Sequence, residues 1–215
     1  MSEQTLPDRR RVKAEPSAVQ HYTRRKPAKH HAEMALVARA FPALPPGSRV
    51  LDAPCGAGRL SLWLAERDLR VAALDLGSAA VVHTRTLLAT DGADAEVREG
   101  DVFALPWEDR AFQAVVCFRL LHHFQERARR LALVREMARV CDGYLLVSYL
   151  SPWSFTGLKR RLRAALGGRR HRQNHTSLSE LVADLKAEGF QLDRDLAQRR
   201  FLHSLHLARF VRKSR

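Results

Sequence analysis

Residues 49–58 read R-V-L-D-A-P-C-G-A-G. Val50 and Leu51 suit a buried strand, Asp52 closes it, and the small residues that follow can only form a tight loop. Leu60, Leu62, Trp63 and Leu64 then recur at the spacing of a helix with one buried face. The unit is strand, loop, helix, with an acid at the carboxyl end of the strand, which is where an open parallel sheet holds its ligands. Gly56 and Gly58 let backbone approach such a ligand closely, because a side chain there would fill its space. On its own the glycine pair also describes an ordinary strand-to-helix turn.

A helix precedes this stretch and the unit recurs after it. Residues 32–41 carry Ala35, Leu36, Val37 and Phe41 at helical spacing, ended by Pro42 and the Pro45-Pro46-Gly47 turn. Downstream, residues 69–74 form a second apolar strand ending at Asp75, and Ser78 is placed to cap a helix over 79–88. Residues 95–99 make a third strand and 111–118 a strongly apolar fourth; 131–140 make a helix, and 143–149 a fifth strand. Ser177 and Glu180 read as a capping box before a helix that Gly189 ends, and two last strands fit near 190–196 and 202–211. Alternation of strands with helices implies an α/β fold, a parallel sheet covered on both faces.

The loop discriminates among nucleotide ligands. A dinucleotide fingerprint beginning at Gly56 would need glycine where Ser61 stands, so a pyrophosphate site is disfavoured. Asp75 closes the second strand where a carboxylate accepting from ribose hydroxyls is expected, and Asp101 follows the third. Three acids around one pocket repel pyrophosphate and suit a ligand with positive charge and free hydroxyls. S-adenosylmethionine has both.

The segments VLDAPCGAGR, VAALDLG, EGDVFALPWEDRAFQAVVCFRLLHHF, GYLLVSY and TSLSELVADLKAEGF, in this order and spacing, resemble the class I S-adenosylmethionine-dependent methyltransferases, in particular their small-molecule and quinone-biosynthesis-like branch, across residues 32–211. The resemblance implies a Rossmann-like seven-stranded sheet of order 3-2-1-4-5-7-6 with the seventh strand antiparallel. It implies that Asp52, Gly56 and Gly58 line the methionine side of the cofactor, and that Ala53, Pro54, Arg59 and Phe118 also belong to the cofactor site. Asp75 holds the ribose, Leu76 packs on the purine, and Asp101 with the backbone of Val102 reads adenine. Pro54 departs from the commonest pattern, which has glycine there, and puts the local loop shape in question.

Methyl transfer from a sulfonium is an in-line displacement in which alignment supplies most of the acceleration, so a base is optional. For a hydroxyl acceptor, the favoured class, the candidates to remove the proton are His122 and His123. Neighbours on a helical turn point in different directions, so at most one faces the pocket; His122 is favoured, and either can equally be a packed or capping histidine. Arg119 is placed to bind an acidic acceptor or to form an ion pair. No [DNS]-P-P-[YFW] follows the fourth strand and Cys117 lies inside it, which disfavours exocyclic-amine and pyrimidine C5 methylation.

The 215 residues suit one domain with appendages, and 46% hydrophobic with 28% charged residues suits a folded chain. The net charge of +14 is unevenly placed. Residues 1–31 hold eight basic and three acidic residues, residues 159–172 seven basic and none acidic, and residues 196–215 six basic and none acidic. The expected division is a basic arm over 1–31 and a methyltransferase domain over 32–215 with a basic insertion at 151–176. In the resembling family, arm and insertion cover the cofactor and form the acceptor site, so Tyr22, Arg25 and Trp153 join Arg119 and His123 as candidate acceptor contacts. Focused positive potential favours an anionic acceptor: a small molecule, lipid or glycan, with RNA as the alternative. Peripheral contact with an anionic membrane is open, because Leu158, Leu162, Ala165 and Leu166 alternate with basic residues. A non-catalytic nucleic-acid-binding role is a further alternative, against which the three acids argue. No apolar run approaches the roughly 20 residues of a membrane span. The N-terminus has no apolar stretch after its charges, so a cytoplasmic location is expected. Three cysteines without metal-type spacing suggest reduced, buried thiols and no metal.

Overall fold

The computed structural model describes residues 15, 17, 27–152, 174–198 and 204–213. The elements run α1 (Pro27–Ala40), β1 (Arg49–Asp52), α2 (Arg59–Ala65), β2 (Arg70–Asp75), α3 (Ser78–Thr90), β3 (Ala95–Glu99) and β4 (Phe112–Cys117). A 3-10 turn over Leu121–His123 leads to α4 (Arg127–Val140), β5 (Cys141–Leu150), α5 (Leu178–Ala187), β6 (Phe190–Ala197) and β7 (Leu205–Arg212). The seven strands form one sheet of order β3-β2-β1-β4-β5-β7-β6. β1 pairs in parallel with β2 and β4, and β7 is antiparallel to both β5 and β6. This is the expected order and polarity.

Strand periodicity sorts the core into two layers, because successive side chains leave opposite faces. Leu51, Val115, Leu145 and Val147 meet Leu133, Val134 and Met137 of α4 and Leu181 and Leu185 of α5. Val50, Val71, Ala114, Val116 and Leu146 face the other way, onto Leu36, Val37 and Ala40 of α1 and Leu60 and Leu64 of α2. α1 crosses β6 and β7 on that face.

Several boundaries differ from the sequence reading. α1 begins at Pro27, five residues before the Ala32 from which the sequence reading starts the helix. α4 begins four residues before the expected Leu131, because its charged first turn finds partners on α5: Arg127 bonds Asp184 at 2.6 Å, and Arg130 bonds Glu180 at 2.8 Å. That second pair makes the capping box one-sided. Ser177 accepts from the Glu180 N–H at 3.1 Å, while the Glu180 carboxylate goes to Arg130. Ser78 is the first residue of α3, not its cap; Gly77 holds the cap position. The C-terminal basic run is partly structural. Arg212 donates to the carbonyls of Ala138 and Cys141 at the end of α4, and Arg209 to that of Ala40 at the end of α1, where guanidinium groups satisfy carbonyls left open by the helices. Residues 1–26 apart from 15 and 17, and residues 153–173 of the insertion, with Tyr22, Arg25, Trp153 and the apolar–basic alternation at 158–166, lie outside the described residues. No helix among the described residues is long and apolar enough to cross a membrane.

Gly58, at the start of α2, has a φ of 72°, and a Cβ there would stand 2.9 Å from Thr84 Cγ2 and 3.2 Å from Thr84 Cα. The second glycine of the loop is thus required by packing of α2 on α3. Gly58→Ala should cost about 2–4 kcal/mol, combining left-handed strain with overpacking. This is checked as a lower urea midpoint at unchanged slope; a cost below about 1 kcal/mol would contradict the packing account.

Candidate active site

The carboxyl ends of β1, β2 and β4 converge where the strand order reverses between β1 and β4, and the loops after them carry the polar groups the sequence singles out. Asp52 is 1% exposed, and its Oδ2 accepts from the Ser61 hydroxyl at 2.7 Å. The residue that excludes a dinucleotide fingerprint therefore has a task, holding the Asp52 carboxylate from the first turn of α2. The loop is tied to its neighbours by backbone bonds, Ala53 N–H to Val116 O at 3.1 Å and Cys55 N–H to Leu74 O at 2.9 Å. The Ala53–Pro54 peptide is cis.

Asp75 is 7% exposed at the end of β2. Its Oδ2 accepts from the Gly56 N–H and its Oδ1 from the Gly77 N–H, both at 2.9 Å. One carboxylate thus joins the glycine loop, the end of β2 and the start of α3, with Gly56 in the left-handed region at φ 61°. A carboxylate offers about four lone-pair directions, so each oxygen keeps one for a further donor such as a hydroxyl. Leu76 beside it is 38% exposed, a large apolar side chain left uncovered. Asp101 is exposed on the same edge, its Oδ1 accepting from the Phe103 N–H at 3.0 Å, with Val102 buried behind it.

Phe118, after β4, packs against the α1-side core. Arg119, with φ 63°, donates through its backbone N–H to Ser148 and through its guanidinium to Glu33 of α1. It therefore forms the ion pair of the two readings, and a buried one, since Glu33 is 1% exposed. Arg59 lies 3.5 Å from the same carboxylate and donates to His30 Nδ1 at 2.7 Å. The two candidate histidines separate. His122 is 2% exposed and packed inside, with its carbonyl accepting from the Asn174 N–H at 2.9 Å. His123 is half-buried, its ring centroid 4.2 Å from that of His122. The favoured histidine is thus the less accessible of the pair, because the 3-10 turn aims it into the core.

Two groupings escaped sequence reasoning. One is Glu33 with Arg59, Arg119 and His30. The other joins the last three strands of the sheet. The Tyr149 hydroxyl donates to Asp195 Oδ2 at 3.0 Å, and His206 Nδ1 lies 2.8 Å from the same oxygen. Burial, with the Asp195 carboxylate beside it, raises the Tyr149 hydroxyl above the ordinary tyrosine range. Register could have found the second, since Tyr149 and His206 are cross-strand neighbours; nothing in local spacing signals either.

A family model described as methyltransferase domain matches residues 50–143. The chain is 31% identical over 158 residues to the ubiquinone biosynthesis O-methyltransferase of Xanthomonas axonopodis pv. citri, covering 69% of this chain and 65% of that protein. The chain belongs to the class I S-adenosylmethionine-dependent methyltransferases. A shorter match, 46% over 59 residues, links this methyltransferase-family chain to ribosomal RNA small subunit methyltransferase C of Chromohalobacter salexigens, covering 27% of the chain and 18% of that protein. Magnesium protoporphyrin IX methyltransferase from Synechocystis PCC 6803, solved with bound SAH, shares the methyltransferase fold at a TM-score of 0.68. It is 19% identical, with 92% of this chain and 83% of that chain covered. The chain spans about two thirds of the length of the ubiquinone-pathway relative.

In this methyltransferase fold the cysteines are packing groups. Cys55, Cys117 and Cys141 are all buried, and none is in a disulfide. Burial pushes the Cys117 thiol up to about 12, with Asp52 adding to the shift, and burial likewise raises Cys141 to about 12. Buried thiols held in the neutral form are poor nucleophiles. Native protein should leave both unmodified by iodoacetamide at pH 8 over hours, with modification appearing in urea. Rapid native labelling of Cys117 would contradict the buried assignment.

Proposed function

We propose that the chain transfers the methyl group of S-adenosylmethionine to a hydroxyl oxygen of a small anionic acceptor. The observation that carries the reading is Asp75. A buried carboxylate already committed to two backbone N–H groups, yet with acceptor capacity left at a pocket edge, is what recognition of paired ribose hydroxyls requires. Asp101 and Leu76 extend that site toward the adenine, and Asp52, held by Ser61, places a negative group beside the glycine loop where a cationic centre is favoured. S-adenosylmethionine supplies the electrophilic methyl carbon, bonded to a positively charged sulfur that leaves as a neutral thioether.

The protein's part is alignment and proton removal. Alignment comes from loops pinned at both ends, which limits the freedom lost on reaching the reactive geometry. Proton removal is assigned to the His122–His123 pair after β4, with half-buried His123 meeting the acceptor and buried His122 supporting its ring. Oxygen as the acceptor atom draws on the O-methyltransferase named among the relatives. Anionic character draws on the basic runs at both ends of the chain and in the insertion. The RNA reading draws on the same charge and on the short ribosomal RNA methyltransferase match.

Incubation with radiolabelled S-adenosylmethionine and a cell extract separated into RNA, lipid, protein and metabolite fractions tests the acceptor class. Label should enter anionic metabolites, lipids or glycans, and Asp52→Ala should abolish it. Label confined to protein or to neutral compounds would defeat the anionic acceptor, and label confined to RNA would replace it with the RNA reading. Once an acceptor is identified, His123→Gln should lower kcat by about a hundredfold or more while leaving cofactor binding intact. An unchanged kcat would remove the histidine pair from the chemistry.

A further inference from the structure

β5, β7 and β6 carry Tyr149, His206 and Asp195 close to the carboxyl end of β5, where Tyr149 is the last residue but one of its strand and His206 the second of its own. Three backbone bonds stitch this end of the sheet to the turn after β4. The Asn174 N–H donates to the His122 carbonyl at 2.9 Å, the Thr176 N–H to that of Leu150 at 3.0 Å, and the Ser151 N–H to that of Ser204 at 2.8 Å. His206 shares the strand face of Ala208 and Phe210, in the core layer that also holds Tyr149 and the Leu121 that opens the 3-10 turn. It therefore lies on the same edge as the His122–His123 turn, two strands over from β4, or about 10 Å at the spacing of strands in a sheet.

His206 Nδ1 lies 2.8 Å from Asp195 Oδ2, which also accepts from the Tyr149 hydroxyl at 3.0 Å. A carboxylate only accepts, so Nδ1 carries the proton, and the lone pair of the neutral ring falls on Nε2. Burial and the Asp195 carboxylate keep the Tyr149 hydroxyl protonated, so it remains a donor to that carboxylate. Nε2, on the opposite side of the ring, makes no hydrogen bond among the described residues, and the His206 side chain keeps 19% of its surface.

Joining the strands does not require this triad. β7 pairs with β5 and with β6 through this level, and Leu205, Leu207, Ala208 and Phe210 pack along it. Asp195 Oδ1 is buried with no hydrogen bond, which destabilises relative to apolar residues of similar volume. What the carboxylate does achieve is to fix the tautomer and orientation of one ring and to strengthen its outer nitrogen as an acceptor, as where an imidazole meets a ligand.

We propose that His206 is a specificity-determining contact for the methyl acceptor, its Nε2 accepting from a hydroxyl other than the one methylated, with Asp195 and Tyr149 as its positioning residues. The inference rests on the proposed O-methyl transfer and describes its acceptor, a small molecule whose second hydroxyl stands on the order of 10 Å from the reacting one.

Two amide substitutions separate the ring nitrogens, since the amide of Asn takes the place of Nδ1 and that of Gln the place of Nε2. Initial rates are measured with radiolabelled S-adenosylmethionine against a dilution series of the small-molecule fraction of a cell extract; urea midpoints report the fold, and calorimetry with S-adenosylhomocysteine reports the cofactor site. His206→Asn, which keeps the bond to Asp195, should raise the half-saturating amount of that fraction about tenfold, the loss of one hydrogen bond, while the saturated rate falls less than about threefold. Its urea midpoint and S-adenosylhomocysteine affinity should stay close to those of the unsubstituted protein. His206→Gln should lose the Asp195 bond and lower the urea midpoint, yet raise the half-saturating amount less than His206→Asn does. An unchanged half-saturating amount in His206→Asn, or a larger rise in His206→Gln than in His206→Asn, would mean that the triad only joins strands; either overturns the proposal and leaves methyl transfer standing. If the unsubstituted protein labels no small molecule, the O-methylation reading falls and the proposal with it.

Discussion

Asp75 ends β2 with each carboxylate oxygen 2.9 Å from a backbone N–H, Gly56 on one side and Gly77 on the other. Burying a carboxylate is unfavourable unless donors surround it, and here the donors belong to the two loops whose positions define the pocket. The arrangement sets the shape of the glycine loop from across the strand gap and orients the entry into α3. Gly58 and Thr84 complete it, since the close approach of α2 to α3 leaves no room for a Cβ. The loops at these strand ends are thus held by a few buried polar groups, and Asp52 with Ser61 repeats the device one strand over.

Much of the architecture is legible in the sequence because its signals are local. Val50 and Leu51, Ala72 to Leu74, and Ala114 to Val116 are short apolar runs bounded by polar or turn residues, and each is a buried strand. Asp52 and Asp75 stand at strand ends as expected, because an acid at that position is tolerated only where loop donors can meet it. The strand order is another matter. Alternation alone implies a parallel sheet, and the 3-2-1-4-5-7-6 order follows only from the resemblance of successive motifs.

What local reading misses are contacts that span the chain. Arg127 and Arg130 precede the Leu131 at which the sequence reading starts the helix, yet Asp184 and Glu180, 57 and 50 residues on, draw them into it. Arg209 and Arg212 read as part of a basic tail and instead close the ends of α1 and α4. Glu33 is one acid in a helical pattern, and its burial depends on Arg119, 86 residues away. His122 illustrates the converse. Its position after β4 is legible, but the 3-10 turn decides which of two adjacent rings faces inward, and no periodicity specifies that.

A crystal structure of the full chain grown with S-adenosylhomocysteine tests the central claim most directly. The account predicts the ribose hydroxyls within hydrogen-bonding distance of the Asp75 carboxylate, with the bonds from Gly56 and Gly77 retained and Leu76 against the adenine face. A nucleoside bound away from Asp75, or one that displaces the Gly56 N–H from that carboxylate, would contradict it.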